Sequence, residues 1–284
     1  MSKKRNVLKA VRIAAAVLLI GYVVLEALKI RLVQDAVHNS ILTVLLTRSL
    51  ASIFFLTIFL EGENKVPSRK PVKEYLSSLP FAVPALLVAV NNLPIIGLIT
   101  GLCRVSDSPL WVFLFALECA AVGTFEELAF RGVLFPYFLR KCKSRLHIFI
   151  CIVATSAVFG LYHLFNLLEG AGFGDVALQI GYSTLIGAMC AACMLITGDI
   201  LVPIIIHAVY NFCGLLIPTI GEGKLWDTPT VILTAILGTA VFVFYFVVFF
   251  RKKSFRLFEM IKAEEPQDEA PEGDGQDSRR RPTA

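Results

Sequence analysis

The sequence predicts an all-α fold, a polytopic membrane bundle of about eight transmembrane helices. Three observations predict it. First, 56% of the 284 residues are hydrophobic and 17% are charged, where soluble domains carry about a quarter charged residues. Mean hydropathy is +0.73. Second, the charges are clustered: between Pro109 and Phe138 the charged residues are Glu118, Glu126, Glu127 and Arg131. Third, strongly basic segments alternate with weakly charged ones between the apolar runs. The length suits one bundle and no separate soluble domain.

A membrane span needs about 20 mostly apolar residues. The runs that qualify are Val7–Ala27, Ile41–Leu60, Pro80–Gly101, Leu110–Phe138, Ile148–Leu168, Leu178–Thr197, Ile200–Ile220 and Val231–Phe250. Lys9, Arg12 and Arg48 intrude on the first two. The first run follows Lys3, Lys4 and Arg5 like a signal peptide, but it is long and no clear cleavage site follows, so it reads as a retained signal-anchor. The basic segments are that N-terminus, Lys65–Lys73, Arg140–Arg145 and Arg251–Arg256. An even number of spans puts all of them on one side, and the positive-inside rule then makes both termini cytoplasmic.

The net charge of +5 comes from these juxtamembrane clusters. It points to anionic lipid and topology, and not to nucleic acid. Residues 1–258 read as one transmembrane bundle with a catalytic core at about 110–220. Residues 259–284, acidic and then basic, read as a disordered cytoplasmic tail. The seven cysteines, among them Cys190 and Cys193, have no second pair at metal-binding spacing and read as buried thiols.

The fourth run places Glu126, Glu127 and Arg131 in the bilayer. One unpaired charge at its centre costs about 2.5–3.5 kcal/mol, and three cost on the order of 8 kcal/mol. Glu127 and Arg131, four apart, share a helix face and form an ion pair. Glu126 lies about 100° away and is left free for chemistry. The fifth run contributes Phe159 and His163, and the seventh His207 and Asn211, each pair again four apart. Histidine exchanges protons near neutral pH. An imidazole beside a carboxamide suits a carbonyl oxygen that gains negative charge. A structural clamp of Glu126, Glu127 and Arg131 is the bland alternative.

Glu126-Glu127-x-x-x-Arg131, Phe159-x-x-x-His163 and His207-x-x-x-Asn211, in this order on three apolar segments, resemble the CPBP family. These are the type II CAAX prenyl endopeptidases and their bacterial relatives, also called Abi proteins. The resemblance runs from the fourth span to the seventh. It implies an intramembrane peptidase, multi-pass in the cell membrane if bacterial, acting on a membrane-associated protein or peptide. Glu126 and His163 would activate a water, and His207 and Asn211 would stabilise the oxyanion. Glu127, Arg131 and Phe159 would support the site. Bacteriocin leader processing or immunity are further roles the bacterial relatives suggest.

Members have also been described as metallopeptidases, with Glu126, His163 and His207 as a zinc ligand set. The chain has no HExxH helix. The residues leave zinc and a metal-free mechanism both open, and Asn211 beside His207 favours the metal-free one. Two other readings are a non-catalytic immunity or scaffold protein of the same fold and an ion or proton carrier. The sequence does not name the substrate, say whether it is prenylated or give an oligomeric state.

Overall fold

The computed structural model describes residues 2–27, 31–61, 76–168, 170–223 and 228–263. Helix dominates, because the apolar runs satisfy their own backbone only as helices inside a membrane. The helices are α1 (Ser2–Ala27), α2 (Ala36–Glu61), α3 (Val83–Asn91), α4 (Ile95–Thr100), α5 (Pro109–Glu127), α6 (Phe135–Leu139), α7 (Arg145–Tyr162), α8 (Phe173–Thr197), α9 (Leu201–Ile220), α10 (Thr228–Arg251) and α11 (Arg256–Ala263). Five stretches among the described residues are long and apolar enough to cross a membrane: Ala36–Glu61, Arg145–Leu167, Phe173–Thr197, Leu201–Ile220 and Ile232–Arg251. The outer surface is apolar, with Ile20 65%, Leu185 63% and Ile236 62% exposed. Such a surface suits hydrocarbon, not water.

Two expectations about the elements need correction. The run Pro80–Gly101 is not one helix. A 3-10 turn at Leu79–Ala82 leads into α3, and the chain breaks at Asn92 and Leu93 before α4. Pro94 causes the break, since it has no N–H and its ring clashes with the preceding turn. The freed polar groups are partly used between helices: Asn92 Nδ2 donates to the Tyr210 carbonyl on α9 at 3.2 Å. The bundle is all-α as expected, with one small addition. A two-stranded antiparallel ribbon pairs β1 (Cys103–Val105) with β2 (Gly221–Gly223), Arg104 opposite Glu222.

Second, the tail does not start at 259. α11 buries Leu257 (0% exposed) and Ile261 (2%) against Leu195, Phe249 and Ile148. The two residues share a face at i, i+4, a pattern hidden by the charges around them. Lys262 Nζ also donates to the Arg140 carbonyl at 3.1 Å. The rest of the expected tail, residues 264–284, lies outside the described residues, as do Lys65–Lys73.

α8 runs through the middle of the bundle, packed on α7 and α9, while α5 packs between α2 and α9. The start of α5 is tied to that of α2. His38 Nε2 contacts Asp107 Oδ2 at 2.6 Å, and its ring stacks on Trp111 at 3.7 Å. The His38 hydrogen bond holds the Asp107 carboxyl below the usual carboxylate range. His38 looks unremarkable in the sequence, because its partners are about 70 residues away.

Candidate active site

The fourth apolar run supplies two carboxylates at the end of α5. Directly after them the helix widens into a π segment, Leu128–Leu134. Such i→i+5 turns gather at functional sites. Glu127 is 1% exposed, Arg131 2% and Glu126 5%. Arg131 Nη1 donates to Glu127 Oε1 at 2.9 Å, the i, i+4 pair that the spacing predicts.

His207, 4% exposed, reaches the same carboxylates from α9. Its Nδ1 is 2.8 Å from Glu127 Oε1, and its Nε2 is 3.4 Å from Glu126 Oε2. Glu127 Oε1 therefore takes two partners. Glu126 has one long contact and keeps most of its acceptor capacity. With both ring nitrogens of His207 protonated, the two carboxylates, the guanidinium and the imidazolium sum to zero charge. That neutrality is what a low-dielectric site requires of paired ions.

The ring of Phe159 (1% exposed) sits at the centre. The Arg131 guanidinium lies over it at 4.4 Å. His163 and His207 meet it edge-on at 5.3 and 5.7 Å. The resemblance gives Phe159 a supporting role, and the structure adds a cation–π contact to Arg131. His163 Nδ1 is 3.2 Å from the Phe159 carbonyl. A carbonyl accepts and never donates, so this bond puts the proton on Nδ1 and leaves the Nε2 lone pair available.

Two glycines let the helices close on the cluster. A Cβ at Gly187 of α8 would lie 2.6 Å from Arg131 Nη2 and 3.0 Å from the Phe159 ring. A Cβ at Gly123 of α5 would lie 3.0 Å from the Ala208 backbone nitrogen, beside His207. Neither is visible as a site residue in the sequence, where each is one glycine in an apolar run. Ser156, 1% exposed and in contact range of Gly187, is missed for the same reason.

The structure thus brings Glu126, Glu127, Arg131, Phe159 and His207 into one buried cluster. His163 joins it through the Phe159 ring, half-buried, without a hydrogen bond to Glu126. Asn211 is half-buried one turn along α9 from His207. Among the described residues no hydrogen bond joins it to His207 or to the carboxylates. Asn166, three residues after His163, donates from Nδ2 to Gln179 Oε1 on α8 at 2.8 Å.

Among the described residues no three His, Cys, Asp or Glu side chains converge to hold a metal ion. Glu126, His163 and His207 as they stand do not fit a zinc site. His163 meets the other two only through the Phe159 ring, so the three donors do not converge. All seven cysteines are buried.

Glu127 holds Arg131 and His207 together, so its loss leaves a buried cation unpaired. Removing one partner of a buried pair costs about 3–5 kcal/mol. Glu127→Ala is expected to lower thermal stability in detergent by that order. A variant as stable as wild type would show that Glu127 is not the structural carboxylate.

Fold and site define a class: a polytopic helical membrane protein with a charge-balanced carboxylate–histidine centre between its helices. A family model described as Rce1-like, type II CAAX prenyl endopeptidase, matches residues 107–213. That segment is similar to the type II CAAX prenyl endopeptidases of the CPBP family. All seven motif residues from Glu126 to Asn211 fall inside the match. No curated protein and no solved structure matches the chain.

Proposed function

We propose that the protein is an intramembrane endopeptidase that hydrolyses a peptide bond in a membrane-associated protein or peptide. The observation that carries this reading is the inequality of the two carboxylates. Glu127 is held by Arg131 and His207, while Glu126 beside it retains acceptor capacity in a water-poor site. Glu126, with the free Nε2 of His163, takes a proton from water as the oxygen attacks the scissile carbonyl carbon. The oxygen of that carbonyl gains negative charge and is stabilised by His207 and Asn211. The contact of His207 Nε2 to Glu126 is long enough for a carbonyl oxygen to displace. Collapse of the intermediate breaks the C–N bond, and the proton passes to the leaving amine. No step requires a metal.

The reading is tested with purified protein in liposomes and a lipidated, internally quenched peptide, beside a Glu126→Gln control. Cleavage by wild type and not by the variant is the expected result. No cleavage, together with proton or metal flux across the same vesicles, would favour a carrier. No cleavage and no flux would favour an immunity or scaffold protein. Bacteriocin leader peptides are a substrate class to include.

Both termini are proposed to be cytoplasmic, on the strength of the basic segments at one end of the spans. Cysteine tags at either end should resist an impermeant label in intact cells. Labelling of one end would reverse the orientation or change the span count.

A further inference from the structure

Three buried polar atoms beside the site have no hydrogen-bond partner among the described residues: Arg131 Nη2, Glu127 Oε2 and Ser156 Oγ. Their residues are at most 2% exposed. Buried polar groups in folded proteins are nearly always paired, with protein or with ordered water. Ser156 also differs from five other helical hydroxyls. Ser52, Thr124, Thr155, Thr184 and Thr197 each donate to the carbonyl four residues back, a common resting place for such a group. Ser156 Oγ makes no such bond.

The three groups are neighbours. Arg131 and Glu127 are joined through Nη1 and Oε1 at 2.9 Å, so Nη2 and Oε2 are the second arms of the same pair. A Cβ at Gly187 would stand 2.6 Å from Arg131 Nη2 and 3.3 Å from the Ser156 Cβ. The guanidinium and the serine therefore flank one spot on α8, no farther apart than about two hydrogen bonds end to end. Glycine keeps a side chain out of that spot.

The donors and acceptors select the ligand. Nη2 only donates, the carboxylate oxygen only accepts, and the hydroxyl does either. The ion pair is already balanced in charge, so a further anion or cation would be buried unpaired. A water accepts from Arg131, donates to Glu127 and takes Ser156 as its third partner. Three bonds to otherwise unpaired groups are what a buried water typically makes.

We propose that one buried water bridges Ser156 of α7 to Arg131 and Glu127, and that Ser156 is through it a positioning residue for the site. The bridge fixes the carboxylate that holds His207 Nδ1 at 2.8 Å, and with it the imidazole assigned to the oxyanion. The effect on turnover rests on the endopeptidase reading above, while the water site does not.

Two measurements test this. A high-resolution structure of wild type in lipid nanodiscs is expected to show one ordered water within hydrogen-bond distance of Arg131 Nη2, Glu127 Oε2 and Ser156 Oγ. No water there, or Ser156 bonded directly to Arg131 or to the Ile152 carbonyl, would overturn the site. Should the variants below not fold, that structure alone decides it. The second measurement is kinetics on the lipidated peptide. A hydrogen bond is worth about two- to tenfold. Ser156→Ala should lower kcat by that factor, with KM and the melting temperature near wild type. Ser156→Thr, which keeps the hydroxyl, should recover most of the loss. Ser156→Cys, which fills the space with a weak donor, should not. Recovery by Cys and not by Thr would mark a packing role and overturn the positioning one, as would an unchanged kcat in Ser156→Ala. If wild type shows the water and cleaves nothing, the endopeptidase reading falls with the positioning role, and the water site stands.

Discussion

Glu126→Ala is expected to reduce turnover of a lipidated peptide by about 10²- to 10⁴-fold, the usual contribution of a general base, and to leave insertion and thermal stability near wild type. The asymmetry follows from the geometry. Glu126 makes one 3.4 Å contact to His207. Its removal leaves the Arg131–Glu127–His207 chain intact. Truncation of Glu126 removes a proton acceptor, and His207 can release its Nε2 proton and become neutral, so that Glu127 and Arg131 remain a balanced pair. The pair of variants at positions 126 and 127 gives the clearest reading. Glu126→Ala should be stable and inactive, and Glu127→Ala unstable. The reverse pattern would exchange the two roles, and wild-type turnover by Glu126→Ala would end the assignment.

Asn211→Ala carries the second large effect. A donor to a developing oxyanion is worth about 10²–10³ in turnover, or about 2.7–4 kcal/mol. The loss should fall on kcat with KM little changed, because the bond strengthens as the carbonyl oxygen becomes charged. Asn211 is half-buried and joined by no hydrogen bond to the cluster, so its truncation should not disturb the ion pairs. A KM-led defect would make Asn211 a binding residue instead. Zinc content measured beside the kinetics separates the metal reading: stoichiometric zinc in wild type that disappears in His207→Ala would overturn the metal-free mechanism.

Most of the site can be read from spacing, because an α-helix turns residue number into direction. Glu127 and Arg131 meet as their separation of four requires. The inference that Glu126 stands apart also follows from one residue's rotation. The tie between His207 and Glu127, 80 residues apart in the chain, has no such local signature. The sequence places both in apolar runs and says nothing of which nitrogen meets which oxygen. The same holds for Arg48, whose partners Tyr162 and Phe125 come from two other elements.

Composition and periodicity were enough to establish a helical membrane bundle, because hydrocarbon leaves an uncovered backbone no other solution. They were also enough to mark the buried charges as the place where cost had to be offset. Packing settled the rest. The π segment after Glu127 and the docking of α11 each depend on what another helix presents. The close approach at Gly187 does so too, since a missing Cβ matters when an Arg131 or a Phe159 arrives to fill its space. Side-chain direction along one helix is a local property. The depth and rotation of one helix against the next are set by contacts between residues far apart in the chain, and those contacts decide which of the buried groups meet.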